Sequence, residues 1–331
     1  MSRFLFAAFV AAFSLFSPFP VDSSPIGMAV EFMDHAACVY IAQEKGWFEG
    51  EGLELSAYES YVTGMALAAA LARGDIQVAY ICLAPAINAY ANARVPLKVV
   101  AGTHRYGYGL VVDPRAIKEV RDLEDKEVRI GCVREGGATD LFLRRTLQEF
   151  HLKEEVLRKV RRMSPPKQLL AIKMGRLDAA FLPEQWATMA EGLGFRMLLS
   201  SQQIWPEMQG SVLVVKEKLL EERPEVVRKL VKVTRKATQW LHQNPDEAAR
   251  IVARHLQVTA KEVFPREAAG MASRLRITPE VIARSMARME YTTSLDPQGV
   301  QEIIDYMFEL GYIRRDFEAE EILDLRYLHG E

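Results

Sequence analysis

The chain has only three cysteines in 331 residues, Cys38, Cys82 and Cys132, and no C-x-x-C pair. An odd, widely spaced set excludes a disulfide scaffold and gives no zinc-site spacing. The six histidines contain no H-E-x-x-H, and there is no G-x-S-x-G, so neither a zinc protease nor a serine hydrolase is signalled. The phosphate-loop pattern G-x-x-x-x-G-K-[ST] is missing, as is a full G-x-G-x-x-G. The formal net charge of −2 gives no global pull toward nucleic acid, and basic runs such as "RKVRRM" (158–163) are short and flanked by acids. There are no short-period repeats or low-complexity tracts. No metal, cofactor or nucleic-acid partner is expected, and Cys38, inside an expected helix, is expected to be a small buried thiol.

What is present is a chain 49% hydrophobic and 26% charged, long enough for a sizeable core and for two lobes. After Arg3 comes "FLFAAFVAAFSLF" (4–16), an uncharged run of 13 residues followed by "SPFPVDSS". That length is short for a bilayer span and right for the apolar part of a secretory signal. Residues 1–24 are therefore expected to be a signal peptide, with a soluble, extracytoplasmic mature chain, since no later run reaches about 20 apolar residues.

From Ile26 onward, strand, short loop and helix alternate. "PIGMAVEF" reads as a buried strand and "MDHAACVYIAQEKGWF" as a helix ending near Gly46. "LELSAY" is a second strand, followed by "VTGMALAAALARG" with Thr63 as a helix cap. "IQVAYI", "APAINAYANA" and "LKVVAGT" repeat the pattern. The same grammar restarts with "VRIGCV", the loop "EGGAT" and the helix "DLFLRRTLQEF"; after the strand "GSVLVV" the chain is mostly helical. The expected architecture is α/β, with parallel strands, helices on both faces, and ligand loops at the carboxyl ends of the strands. Its divisions are 25–112 for the first part of lobe 1, 113–207 for lobe 2, and 208–331 for the return to lobe 1 plus a helical C-terminal extension.

The stretch "VREGGATDLFLRR" (133–145) places two glycines and a threonine before an amphipathic helix. Glycine permits close approach, and the first helical turn leaves N–H groups free for an anion or a polar ligand edge. A plain turn and helix cap would explain one such loop taken alone. Similar loop ends recur at His35, at Tyr61 with Thr63, and at Cys82 with Ala84.

"IAQEKGWFEGEGLELSAYESYVTGMALAAALARGDIQVAY", "APAINAYANARVPLKVVAGT", "VREGGATDLFL" and "MGRLDAAFLPEQW" resemble, in order, the substrate-binding proteins of bacterial ABC importers for nitrate, sulfonates, taurine and thiamine-pyrimidine precursors. The resemblance covers 26 to about 215 well and the helical tail loosely. It implies a type II periplasmic-binding-protein fold, two lobes closing on a small molecule, delivery to an ABC permease and its ATPase, a monomer, and no chemistry on the ligand.

With that architecture, the ligand-binding residues are expected to be Asp34, His35, Tyr61, Thr63, Cys82, Ala84, His104, Tyr106, Gly136, Gly137, Ala138, Thr139, Glu184, Trp186 and Trp205. Aromatics and two carboxylates suit an aminopyrimidine or another heteroaromatic compound. Packing between lobe and loop explains each aromatic equally well, and Arg105 and Arg134 keep an organic sulfonate or nitrate open. The rival enzyme class, pyrimidine-precursor synthases on the same fold, carries a cysteine-rich metal-binding stretch that "CLAPA" and "VREGGATD" lack. Expression in a bacterium should yield a mature chain beginning between about residues 21 and 26; N-terminal sequencing that finds Met1 on soluble cytoplasmic protein contradicts export.

Overall fold

The computed structural model describes residues 25–74, 76–263 and 277–328. The signal segment expected at 1–24 lies outside the described residues. Twelve strands are described, in two five-stranded sheets and one small pair. The first sheet holds β1 (Ile26–Glu31), β2 (Leu55–Tyr61), β3 (Val78–Cys82) and β4 (Leu97–Gly102). The small pair begins with β5 (His104–Arg105), and the second sheet holds β6 (Tyr108–Val112), β7 (Ile130–Cys132), β8 (Val160–Arg162), β9 (Ala179–Pro183) and β10 (Arg196–Ser200). The chain returns to the first sheet with β11 (Ser211–Lys216) and completes the small pair with β12 (Glu290–Tyr291).

The strand orders are β2-β1-β3-β11-β4 and β10-β6-β9-β7-β8. Read from β8, the second sheet repeats the first: two parallel pairings, then one reversed strand, then an edge. The reversed strand is β11 in the first sheet and β6 in the second, each antiparallel to both neighbours. All-parallel sheets were expected, and these two strands correct that. Each follows a crossing between lobes, so the chain enters the new sheet from its carboxyl edge and must run backwards. The first crossing falls at 103–107, placing 108–112 in lobe 2 rather than at the end of lobe 1.

The apolar runs explain the layers. β1 is buried along its whole length, which requires helices on both faces of the sheet. Met28 and Val30 pack in one core with the helices Ala37–Glu44 and Pro224–Gln243. Ala29, Ala79 and Ile81 face the other core, with the helices Gly64–Arg73 and Leu83–Ala93. The period-two alternation of strand side chains thus divides one sheet between two cores.

The C-terminal helices touch both lobes. The helix Pro279–Met286 packs on Pro245–Val263 and also on the lobe 2 helix Glu184–Glu191. Arg284 pairs with Glu191 at 2.6 Å and Arg288 with Glu184 at 3.0 Å. On another side, Tyr312 accepts a bond at its carbonyl from Asn92 of lobe 1 (2.7 Å), and its hydroxyl accepts one from Arg144 Nε of lobe 2 (3.0 Å). The C-terminal segment therefore braces both lobes.

Candidate ligand-binding cleft

The carboxyl ends of the strands in the two sheets face a cleft of about 370 Å³. Lobe 1 contributes Glu31 at the end of β1, Met33, the stretch from Val62 to Ala66, Cys82 at the end of β3, and Pro85. Lobe 2 contributes Tyr108, Val133, Arg134, Gly137, Ala138, Thr139, Pro165 and Pro183. Methionine, valine and proline make most of the wall apolar.

Glu31 is the one carboxylate on that wall among the described residues, and it is 2% exposed. Its Oε1 accepts the Cys82 N–H at 3.1 Å, and its Oε2 accepts the Cys82 thiol, also at 3.1 Å. Cys82 immediately precedes the helix Leu83–Ala93. Gly64, the first residue of the helix Gly64–Arg73, lies so close that an added Cβ would run into Glu31 Oε1 and sit 2.7 Å from Pro85 Cγ. One carboxyl group therefore sits at the starts of two helices, and glycine is required at 64 to let it in. Those helix ends favour the ionised form, but burial wins: desolvation raises the Glu31 pKa from 4.5 to about 7 against the opposing Cys82 bonds.

Cys82 Sγ also accepts from Tyr108 Oη at 3.3 Å and from Ser211 Oγ at 3.5 Å. Burial and the neighbouring carboxylate push this thiol well above its ordinary value, so it is held protonated and is a poor nucleophile.

The facing wall has the opposite polarity. The helix Ala138–Glu149 starts at the cleft, with Gly137 as its N-cap residue and no side-chain cap. Neither the Ala138 nor the Thr139 N–H has a hydrogen-bond partner among the described residues. Thr139 is 2% exposed, with Cys132 Sγ 3.7 Å from its hydroxyl. Gly136 carries the left-handed turn, with φ +76°, and its N–H donates to Asp140 Oδ2 at 3.1 Å. Gly137 is extended, with φ −83°, and its missing Cβ would meet Val133 Cγ2 at 2.8 Å. The bareness of Gly137 thus serves the packing of its own loop.

Of the residues expected at the site, Thr63, Cys82, Gly137, Ala138 and Thr139 line the cleft. Thr63 also caps its helix through Ala66 N–H at 3.3 Å. The others lie outside this lining. Ala84 is buried inside its helix, Tyr61 donates to Glu59, and Gly136 faces Asn88 and Tyr312 behind the loop. Trp186 and Trp205, 1% and 2% exposed, are core side chains; Trp186 packs on Phe32, and Trp205 packs edge-on to Tyr306. This leaves Tyr108 as the aromatic side chain on the wall.

Asp34, His35, His104, Tyr106 and Glu184 gather instead where the chain crosses between lobes. Asp34 N–H donates to Gln185 Oε1 at 2.9 Å, and its carbonyl accepts from Tyr291 Oη at 2.9 Å. His35 Nε2 lies 3.1 Å from the Gly107 carbonyl, and its ring centroid is 4.0 Å from that of His104, with the planes tilted by 52°. His104 Nε2 accepts from Ser211 N–H at 3.1 Å, and Tyr106 Oη donates to Glu290 at 2.6 Å. Burial raises Asp34 to about 7 and lowers His104 to about 4. These groups fill the junction between the lobes, the position of a hinge in any closing motion.

Glu31 was missed as a site residue. Its signal was a lone carboxylate closing the apolar strand "IGMAVE", adjoining the loop chosen for Asp34 and His35.

A model of the NMT1-like family matches residues 22–257. The chain belongs to the NMT1-like family. It is 25% identical over 230 residues to the taurine-binding periplasmic protein of Escherichia coli (strain K12), covering 68% of this chain and 69% of that protein. The alkanesulfonate-binding protein SsuA from Xanthomonas axonopodis pv. citri, solved bound to MOPS, superposes with a TM-score of 0.74 at 15% identity over 91% of this chain and 98% of that one. The periplasmic nitrate-binding protein NrtA from Synechocystis PCC 6803 gives 0.75 at 14% identity over 92% and 87%. The shared fold is the two-lobed periplasmic-binding-protein fold.

The Glu31 carboxyl predicts a pH signature. Below its ordinary pKa of 4.5 it is protonated in folded and unfolded chains alike and contributes no penalty. Between 4.5 and about 7 the folded state holds the extra proton, so stability falls as pH rises, by a limit on the order of 3 kcal/mol. Glu31→Gln removes this dependence, so the variant should gain on the wild type between pH 5 and pH 8 in urea unfolding. A difference that stays constant or shrinks over that range contradicts the burial of an ionisable Glu31.

Proposed function

We propose that the chain is the extracytoplasmic solute-binding component of an ABC importer, working as a periplasmic monomer. It captures a small organic molecule by lobe closure and delivers it unchanged to a membrane permease and its ATPase. The observation that carries this reading is the cleft itself, where the strand ends of two sheets, joined by a hinge, face each other across a mostly apolar space with polar groups on both walls. The family membership, the taurine-binding relative and the sulfonate- and nitrate-binding structural neighbours support it. The raised pKa values of Cys38, Cys82 and Cys132, all caused first by burial, support binding without covalent turnover over a synthase-like enzyme.

For the ligand, the favoured class is a heteroaromatic amine such as a thiamine-pyrimidine precursor. Its apolar ring suits the methionine, valine and proline walls, its amino group can donate to Glu31, and its ring nitrogens can accept from the Ala138 and Thr139 N–H groups. A second reading, an organic sulfonate or nitrate, is favoured by Arg134 and the same two N–H groups on the lobe 2 wall.

Native mass spectrometry of protein purified from its own cells should show a retained small molecule, and small-angle scattering with that molecule should show a smaller radius of gyration than without it. An unchanged radius at saturation contradicts capture by closure. Thr139→Val should weaken that molecule by about 0.5 to 1.5 kcal/mol for a lost neutral hydrogen bond, with little change in melting temperature. Native affinity in calorimetry would remove the Thr139 hydroxyl from the contacts.

A further inference from the structure

The two walls of the cleft differ in sign. On lobe 1, the starts of the helices Gly64–Arg73 and Leu83–Ala93 already hold a carboxyl group, that of Glu31, through Cys82 N–H at 3.1 Å and the close approach at Gly64. On lobe 2, the start of the helix Ala138–Glu149 presents unpartnered N–H groups, with Thr139 and Arg134 beside them. A ligand oxyanion on lobe 1 would meet the Glu31 carboxylate at short range inside an apolar wall, where the repulsion is weakly screened. A donor head meets free lone pairs there, because each Glu31 oxygen accepts only one bond from Cys82 and has a second acceptor site.

Resting on the reading of the cleft as a solute site, we propose that Glu31 is a specificity-determining residue. It selects a solute whose hydrogen-bond-donating nitrogen sits on lobe 1 and whose acceptor or anionic end sits on Ala138, Thr139 and Arg134 of lobe 2, and it turns away oxyanions that lack such a nitrogen. An aminosulfonate zwitterion and an aminopyrimidine share this chemistry. Nitrate and simple alkanesulfonates do not.

The ionisable groups around Glu31 leave it to set the charge of this wall. Cys82 from the first sheet and Tyr108 from the second are both raised well above their ordinary values by burial. Tyr40, whose hydroxyl donates to the Glu31 carbonyl at 3.2 Å, is raised as well, so all three stay neutral. Asp34, also shifted to about 7, lies in the hinge against Tyr291 and Glu184.

The test titrates ethanesulfonate into the mature wild-type chain at pH 8.5 and pH 5.5, and into Glu31→Gln at pH 8.5. Wild type at pH 8.5 should bind it at least about tenfold more weakly than either other sample, because only there is Glu31 ionised. Equal behaviour in all three samples, including no binding in any, overturns the proposal, as does the strongest binding by wild type at pH 8.5. If melting curves show Glu31→Gln unfolded, Asp34→Asn, which removes the other carboxyl shifted to about 7, is titrated at the same two pH values and must keep the wild-type difference, its loss overturning the proposal.

Taurine, which adds an ammonium to the same sulfonate, and 4-aminopyrimidine form the donor arms at pH 8.5. Binding of either that falls at least about tenfold in folded Glu31→Gln supports the proposal and names the source as zwitterion or heteroaromatic. Donor binding that is indifferent to Glu31→Gln in every arm that binds overturns it. Failure of a retained solute to close the lobes would count against the importer reading instead, and the ethanesulfonate comparison would still be decided.

Discussion

A carboxyl group buried between two helix starts constrains everything around it. Glu31 occupies the place where the strand ends of lobe 1 meet the first turns of two helices, and its oxygens tie β1 to β3 through Cys82. Gly64 must be bare to admit it. Cys82 must keep its proton to satisfy Oε2, which burial ensures. Tyr108 and Ser211, both at lobe crossings, then bond to the same sulfur. One polar chain thus links the floor of the cleft to the strands on which the chain passes between lobes.

That link bears on how the lobes can move. The crossing strands β6 and β11 run against their sheets, and the hinge between them is filled with neutral imidazoles, backbone bonds and the Asp34 turn. The Arg284 and Arg288 pairs with lobe 2 and the Tyr312 contact with Arg144 brace the molecule on two sides. Lobe closure around a solute must leave those braces intact or exchange their partners. The hinge and its braces also occupy several side chains that a sequence would offer as ligand contacts.

Much of the fold could be read from the sequence because its signals are local. Strand, glycine-bearing loop and amphipathic helix recur with clear periods, and Thr63 announces a cap that the helix uses. The reversal of β6 and β11 was not legible, because a buried strand has the same composition in either direction. At the site, Gly137, Ala138 and Thr139 of the "EGGAT" loop stand on the cleft wall, but a plain helix start would carry the same residues, and Gly137 is bare for the packing of its own loop. Asp34, His35, His104 and Glu184 were placed near the right strand ends, but nothing local shows that their side chains turn into the hinge. Trp186 and Trp205 illustrate the same limit, since a large aromatic beside a loop suits a core and a cleft equally. Glu31 was hidden by its strand, whose apolar residues made the last position look like an ordinary surface end.

The cleft has opposed polarity, with a carboxyl on lobe 1 and, on lobe 2, the Ala138 and Thr139 N–H groups that have no partner among the described residues. A crystal structure of the protein with the solute it retains from its own cells tests this most directly. It should show one molecule between the lobes, a nitrogen donor within about 3.2 Å of the Glu31 carboxyl, and an acceptor at the Ala138 and Thr139 N–H groups. A solute that sets an oxyanion against lobe 1, or one bound away from both walls, would contradict it.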